Sequence, residues 1–226
     1  MMTGFTHHSF DVLAQLEANN TRDWYEENKA SLKEHVRVPF AGMLGVAGML
    51  LDGSRYPLSG SEKTMFRQNR DVRFSKDKTL YKTHVSGMLT RDGTKQETGG
   101  VVYAQIGPRD GLLAAGYYQL ATTDLNKVRD RMIADADRFG EIAGALADKD
   151  YPIDRWNTLK TMPRGLKQHE THPLADYLKL KGYTVRREHS RDVWLSGDIV
   201  ERLVELSEAI GPMNAWIRDA LTYESQ

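Results

Sequence analysis

The sequence contains no cysteine, which rules out disulfides, thiolate metal sites, iron–sulfur clusters and a cysteine nucleophile together. Charge of one sign is not in excess either. Thirty-one basic residues balance thirty-one acidic ones, so affinity for nucleic acid or a membrane surface has to rest on local patches. Apolar runs are short: the longest, from Val38 to Leu51, is interrupted by glycine and falls below the ~20 residues that cross a bilayer. The N-terminus has neither the basic n-region nor the apolar h-region of a signal peptide, and the expectation is a soluble, cytoplasmic protein. No glycine-rich loop leads into a helix with Walker or Rossmann spacing, because Gly99-Gly100 precedes a strand pattern. There is no G-x-S-x-G elbow. His169-Glu170-Thr171-His172 has its histidines three apart and does not make the H-E-x-x-H zinc pattern. No cofactor and no metal are implied, and no motif names a reaction.

What is present is an ordinary globular composition, long enough at 226 residues to bury a core without staples. Ser9 is placed to cap a first helix with Phe10, Leu13 and Ala14 on one face. Tyr25, Leu32 and Val36 form the stripe of a second. Pro39 suits the first turn of a third, where Phe40, Met43, Leu44, Ala47, Leu50 and Leu51 keep helical spacing. Gly42, Gly45 and Gly48 in that helix predict close approach of another backbone. From Thr64 to Tyr118 the period changes to that of strands, with turns at Arg91-Asp92-Gly93 and at Pro108 to Gly111. No helix of crossover length interrupts this region, which predicts an antiparallel sheet. Helix returns at Thr122, with a break near Gly140. Residues 148–173 read as irregular, Gly182 to His189 as a strand, and Ser196 caps a helix that Gly211-Pro212 should break. The expectation is one α+β domain over residues 1–226, a mainly antiparallel sheet flanked by helices. Trp24, Trp156, Trp194 and Trp216, with Tyr103, Tyr117 and Tyr118, read as packing residues.

The segment from Arg67 to Lys82 stands apart. It carries Arg67, Arg70, Arg73, Lys76, Lys78 and Lys82 against only Asp71 and Asp77. If it is extended, alternation places Arg67, Asn69, Asp71 and Arg73 on one face, with Phe66, Gln68, Arg70, Val72 and Phe74 on the other. Two guanidiniums then bracket a carboxylate, and the planar fork of arginine matches phosphate or carboxylate oxygens in pairs. A lysine-rich turn from Ser75 to Thr79 follows, and Tyr81 restarts a strand with Lys82 and His84 opposite. Two readings stand side by side: an anion-binding site, or a solvated lattice of salt bridges. Lys160, Arg164 and Lys167 offer further cations from the irregular segment. Asp71 and Asp77 are candidate catalytic carboxylates, although neighbouring cations should depress their pKa values and favour plain ion pairing.

Arg70 to Lys82, R-D-V-R-F-S-K-D-K-T-L-Y-K, resembles the signature of the family named domain of unknown function 2461. Asn19 to Lys29 and Leu159 to Lys167 are similar to further motifs of that family, so the resemblance spans nearly the whole chain. It implies one domain and a shared site at Arg70, Asp71, Arg73, Lys76, Asp77, Lys78, Tyr81 and Lys82, but no activity. The family's proline before the tyrosine is Leu80 here, and a looser turn is expected. The resulting expectation is a protein that binds, or binds and processes, a phosphorylated small molecule in a basic pocket. The candidate ligand-binding residues are Arg67, Arg70, Arg73, Lys76, Lys78, Tyr81, Lys82, Lys160 and Arg164. A nucleic-acid-binding module and a structural or assembly protein are the alternatives.

Overall fold

A computed structural model describes residues 4–97 and 99–222 of the chain. The fold is α+β, as its alternating helical and strand periods predict. Four strands, β1 (Val85–Leu89), β2 (Val101–Ile106), β3 (Asp110–Tyr117) and β4 (Tyr183–Ser190), follow one another in the sheet in sequence order. Residues 4–97, 101–113 and 187–207 gather in one compact unit, and 99–100, 114–186 and 208–222 in a second.

The first unit begins with α1 (His7–Ala18), α2 (Arg22–Leu32), a π-helical turn at Lys33–Arg37 and α3 (Val38–Leu51). Thr6 is the N-cap of α1 and Ser9 its reciprocal partner in a capping box, so Ser9 sits one turn inside the helix. Phe10, Val12, Leu13 and Leu16 are buried there, while Ala14 faces solvent. No break separates α2 from α3. Pro39 has no N–H to donate along the helix, and the His35 carbonyl four residues earlier receives the Ser9 hydroxyl instead, at 2.6 Å. Helix α3 buries Phe40, Met43, Leu44, Ala47 and Leu51, and Leu50 is exposed. Only Gly48 of its three glycines meets another backbone, at Ser59 and Gly60; a side chain at Gly42 or Gly45 would have open space.

Strands β1 and β2 pair antiparallel, with Gly87 opposite Ala104 and Ser86 opposite Gln105. Their inner face, Val85, Leu89, Val102, Ala104 and Ile106, is fully buried, and Gly87 lies against Phe40 and Leu44 of α3. Tyr103 and Gln105 on the other face are half-buried. Gly107 N–H donates to the Asp110 carbonyl at 2.8 Å and closes the β2–β3 turn, at the position the sequence marks. Gly111 at the start of β3 lies under the Trp194 indole, where an added Cβ would come within 2.2 Å of the ring. Trp194 belongs to α7 (Arg191–Ser196), is fully buried and meets Phe5 edge-on.

The second unit holds α4 (Thr122–Ala134), α5 (Ala136–Asp148) and the short α6 (Ala175–Leu178). The break between α4 and α5 falls at Asp135, not at Gly140. Asp135 leaves helical geometry and pairs with Arg131, whereas Gly140 lies inside α5. Phe139 packs against Tyr177, Tyr183 and Trp216. Helix α8 (Ile199–Leu221) continues through Gly211 and Pro212. Proline removes one intrahelical bond, but Ile210, Met213 and Ile217 on either side are all fully buried, and that burial outweighs the local penalty.

Candidate functional site

The Arg67–Lys82 segment belongs to the first unit and folds back on itself. Arg70 N–H donates to the Leu80 carbonyl at 2.9 Å and Lys82 N–H to the Gln68 carbonyl at 2.8 Å, with Asn69 bridged to Tyr81. Below this, Phe66 N–H donates to the Ser86 carbonyl at 2.9 Å. The arms are thus isolated antiparallel bridges; the regular ladder begins only at Val85. Residues 71–79 form the tip. The expected alternation holds along the first arm, where Arg67, Asn69, Asp71 and Arg73 are exposed and Phe66, Gln68, Arg70 and Val72 are covered wholly or in part. It fails at Phe74, which is 95% exposed because the chain has already turned into the tip.

Both acids of the motif are paired within the hairpin. Arg73 makes a bidentate contact with Asp71, Nε at 3.0 Å and Nη2 at 2.7 Å, so Asp71 holds Arg73 alone. That hydrogen bonding keeps the Asp71 carboxyl below its ordinary pKa. Arg70 pairs with Asp77 and also reaches the Thr79 hydroxyl. The Thr79 N–H, then Arg70, then the Thr79 hydroxyl lower the Asp77 pKa to about 2. Carboxylates held so low are weak bases at neutral pH. Lys78 Nζ donates to the Val72 carbonyl at 3.0 Å, which ties the tip together. Lys76 is exposed at the tip and pairs with no acid among the described residues.

Arg67 and Lys82, at the base of the hairpin, are different. Neither pairs with a carboxylate among the described residues. Lys82 is half-buried, with its ammonium 5.2 Å from the centre of the Phe66 ring. Burial lowers its pKa, and the like charge of Arg67 lowers it further. Arg37 joins them from the π-helical turn through Nη1, which donates to the Phe66 carbonyl at 3.2 Å. His84 lies half-buried beside Lys82 and titrates below the usual histidine range, through burial first and the lysine second. The Tyr81 ring is buried and stacks on Tyr25 of α2, 3.9 Å between centroids.

Asn20, just before α2, fixes the second arm. Its Oδ1 accepts the N–H groups of Leu80 and Tyr81, both at 2.9 Å, and its Nδ2 donates to the Tyr81 carbonyl at 3.0 Å. Leu80 therefore does not loosen the turn. It supplies an N–H that a proline would lack.

Lys160 and Arg164 belong to the second unit. Lys160 is exposed. Arg164 lines a cavity of about 720 Å³ together with Arg129 and Lys181, the amides Gln119, Asn126 and Asn157, and Thr122. No aspartate or glutamate contributes to its wall. Arg129 is 3% exposed, and its guanidinium donates to the carbonyls of Leu178 at 2.8 Å and Leu180 at 3.1 Å. Burial depresses its pKa. Lys167 is exposed, and the His172 ring accepts the Leu174 N–H at 3.1 Å.

Sequence reasoning passed over Arg37, His84 and Asn20 as site residues, and with them Arg129 and Lys181. Asn20 and Tyr25 had a signal, since both stand in the N-terminal segment that carries the family resemblance. Arg129 and Lys181 had none, since Lys127, Arg131 and Lys179 stand close to them in sequence and nothing local sets the two apart.

A family model described as conserved hypothetical protein (DUF2461) matches residues 8–216. No curated protein matches the chain.

Proposed function

The chain belongs to the conserved hypothetical family DUF2461, and from that premise, which supplies no reaction, we propose that it binds a phosphorylated small molecule at the base of the hairpin. One observation carries the reading. Lys82 is disfavoured as a cation first by burial and then by the like charge of Arg67, and no carboxylate among the described residues pairs with either. Keeping like charges together and partly desolvated is unfavourable unless an anion compensates them. Arg37, bonded to the Phe66 carbonyl, and His84, which feels the Lys82 charge, bring further nitrogen donors close by, and arginine forks suit phosphate oxygens. In this reading the tip, with Arg70, Arg73, Lys78, Asp71 and Asp77, is a brace that shapes the arms, and the Tyr25–Tyr81 stack anchors the base to α2.

The test is calorimetric titration with inorganic phosphate, pyrophosphate and a panel of sugar phosphates. A saturable component of the binding that is lost in Arg67→Ala and Lys82→Ala and kept in Lys76→Ala and Arg73→Ala supports the assignment. Binding indifferent to Arg67 and Lys82, or no binding across the panel, refutes it.

A further inference from the structure

The cavity in the second unit combines two features that have no part in the hairpin. Its floor is the buried guanidinium of Arg129, held in place by two backbone carbonyls, and its exposed rim carries Arg164 and Lys181, neither paired with an acid among the described residues. Three cations with no carboxylate in the lining make a concentrated positive potential in a concave place. The first turn of α4 adds to it. Thr122 lines the cavity, and the N-cap position is Ala121, whose methyl group makes no capping bond to the N–H groups of that turn.

The second feature is aromatic. Tyr118 and Trp156 were expected to pack internally, yet they are 59% and 54% exposed and stack on each other with centroids 5.3 Å apart. The backbone explains how they meet. Leu120 N–H donates to the Lys181 carbonyl at 3.3 Å, Lys181 N–H to the Asn157 carbonyl at 3.1 Å, and Leu159 N–H to the Lys179 carbonyl at 2.9 Å. The segment around Lys181 is therefore flanked by residues 118–120 and by 157–159. Tyr118 and Trp156 each immediately precede a residue of the cavity wall, Gln119 and Asn157. The solvent-facing ring pair is thus joined, through the residues that follow each ring in sequence, to the wall of a basic hollow large enough for a ligand of mononucleotide size.

We propose that this cavity binds a phosphate ester bearing a planar ring, of the nucleoside monophosphate class. The phosphate lies among Arg129, Arg164 and Lys181, and the ring stacks on the Tyr118–Trp156 pair. Stacking of a base on aromatic side chains is tolerant of base identity, so the site discriminates by the presence of a ring more than by which ring it is.

The experiment uses the full chain with Arg67→Ala and Lys82→Ala already installed, so that the hairpin contributes nothing and the two proposals fail independently. AMP, ribose 5-phosphate and adenosine are titrated calorimetrically. AMP should bind at least about fivefold tighter than ribose 5-phosphate, and adenosine weakest of the three. Arg164→Ala and Lys181→Ala should each weaken both phosphates about tenfold or more, and Trp156→Ala should remove the advantage of AMP over ribose 5-phosphate. All three side chains are exposed, so these variants keep the fold, which an unchanged Tm verifies. The proposal is overturned if AMP shows no saturable binding, if Arg164→Ala with Lys181→Ala leaves its affinity intact, if AMP binds no tighter than ribose 5-phosphate, or if only an oligonucleotide is retained.

Discussion

The side-chain amide of Asn20 closes on the backbone of Tyr81 from both sides, accepting its N–H at 2.9 Å and donating to its carbonyl at 3.0 Å. Sixty-one residues separate the pair, so one short polar side chain joins the N-terminal helical segment to the base of the basic hairpin. The adjacent Tyr25–Tyr81 stack makes this a two-part joint, one polar and one apolar. Two of the three segments that carry the family resemblance meet at it.

Asn20→Ala removes three hydrogen bonds at once, two accepted from backbone N–H groups and one donated to a carbonyl. At ~0.5–1.5 kcal/mol each, offset by solvent access at this partly exposed joint, the expected loss is about 1–3 kcal/mol. Urea unfolding measures the stability, and hydrogen exchange at the Leu80 and Tyr81 amides should accelerate. Unchanged exchange at those two amides would show that the joint does not hold the arm.

Lys82→Met should leave Tm no lower than that of the natural protein while removing phosphate binding at the hairpin. The ammonium is disfavoured by burial and by Arg67, and an unbranched apolar side chain keeps the contact with the Phe66 ring. A clear fall in Tm would mean that the charge stabilises the fold and that the cation cluster is structural.

His84 gives a pH signature. Its folded pKa lies below the ordinary value, so the neutral ring is favoured in the folded state. Its contribution to stability is complete above about pH 6.5 and declines as pH falls through the window below that value. Phosphate bound beside Lys82 should raise the His84 pKa, because an anion favours the imidazolium. Imidazole proton shifts followed by NMR with and without phosphate give the comparison. A pKa that does not move under saturating phosphate places the anion elsewhere.

Asp77 is held at about 2 against an ordinary 3.8, first by the Thr79 N–H and then by Arg70. A lowered carboxyl pKa stabilises the folded state above 3.8, and the benefit fades as pH falls toward 2. Arg70→Ala should move the Asp77 pKa upward without restoring it fully, since the Thr79 bonds remain. Carboxyl carbon shifts read this directly, and an unchanged value would mean that Arg70 has no part in bracing the tip.

Gly111→Ala tests the packing of the first unit. The new methyl group would sit about 2 Å from the Trp194 indole, a fully buried ring with Phe5 against it. Overpacking of this kind costs about 1–3 kcal/mol, read as a lower denaturation midpoint with quenched or shifted tryptophan fluorescence. Retained stability would require that the ring moves freely, which its burial opposes.

Local pattern carried a large part of this molecule. The periods of Val102, Ala104 and Ile106, and of Leu125, Val128 and Met132, are set by which residues must leave water, and they appear in the fold as the sequence predicts. The turn at Pro108 to Gly111 and the start of α4 at Thr122 are equally local, fixed by backbone preferences of a few neighbouring residues. Where breaker residues were read alone, packing prevailed: Pro212 and Gly140 lie inside helices because the apolar faces on either side of each are buried. The charged segment was legible as chemistry but not as pairing. Composition could show six cations against two acids, yet which of them would be neutralised depends on where the chain turns. The reversal at residues 71–79 brings Arg70 to Asp77 and leaves Arg67 and Lys82 at the base without a carboxylate among the described residues. The cavity around Arg129 and the exposed Tyr118–Trp156 pair lie further still from any local signal, since they arise when segments some twenty to sixty residues apart pair through their backbones. Solvent exposure and charge compensation are properties of a surface, and that surface exists only after the chain has closed on itself.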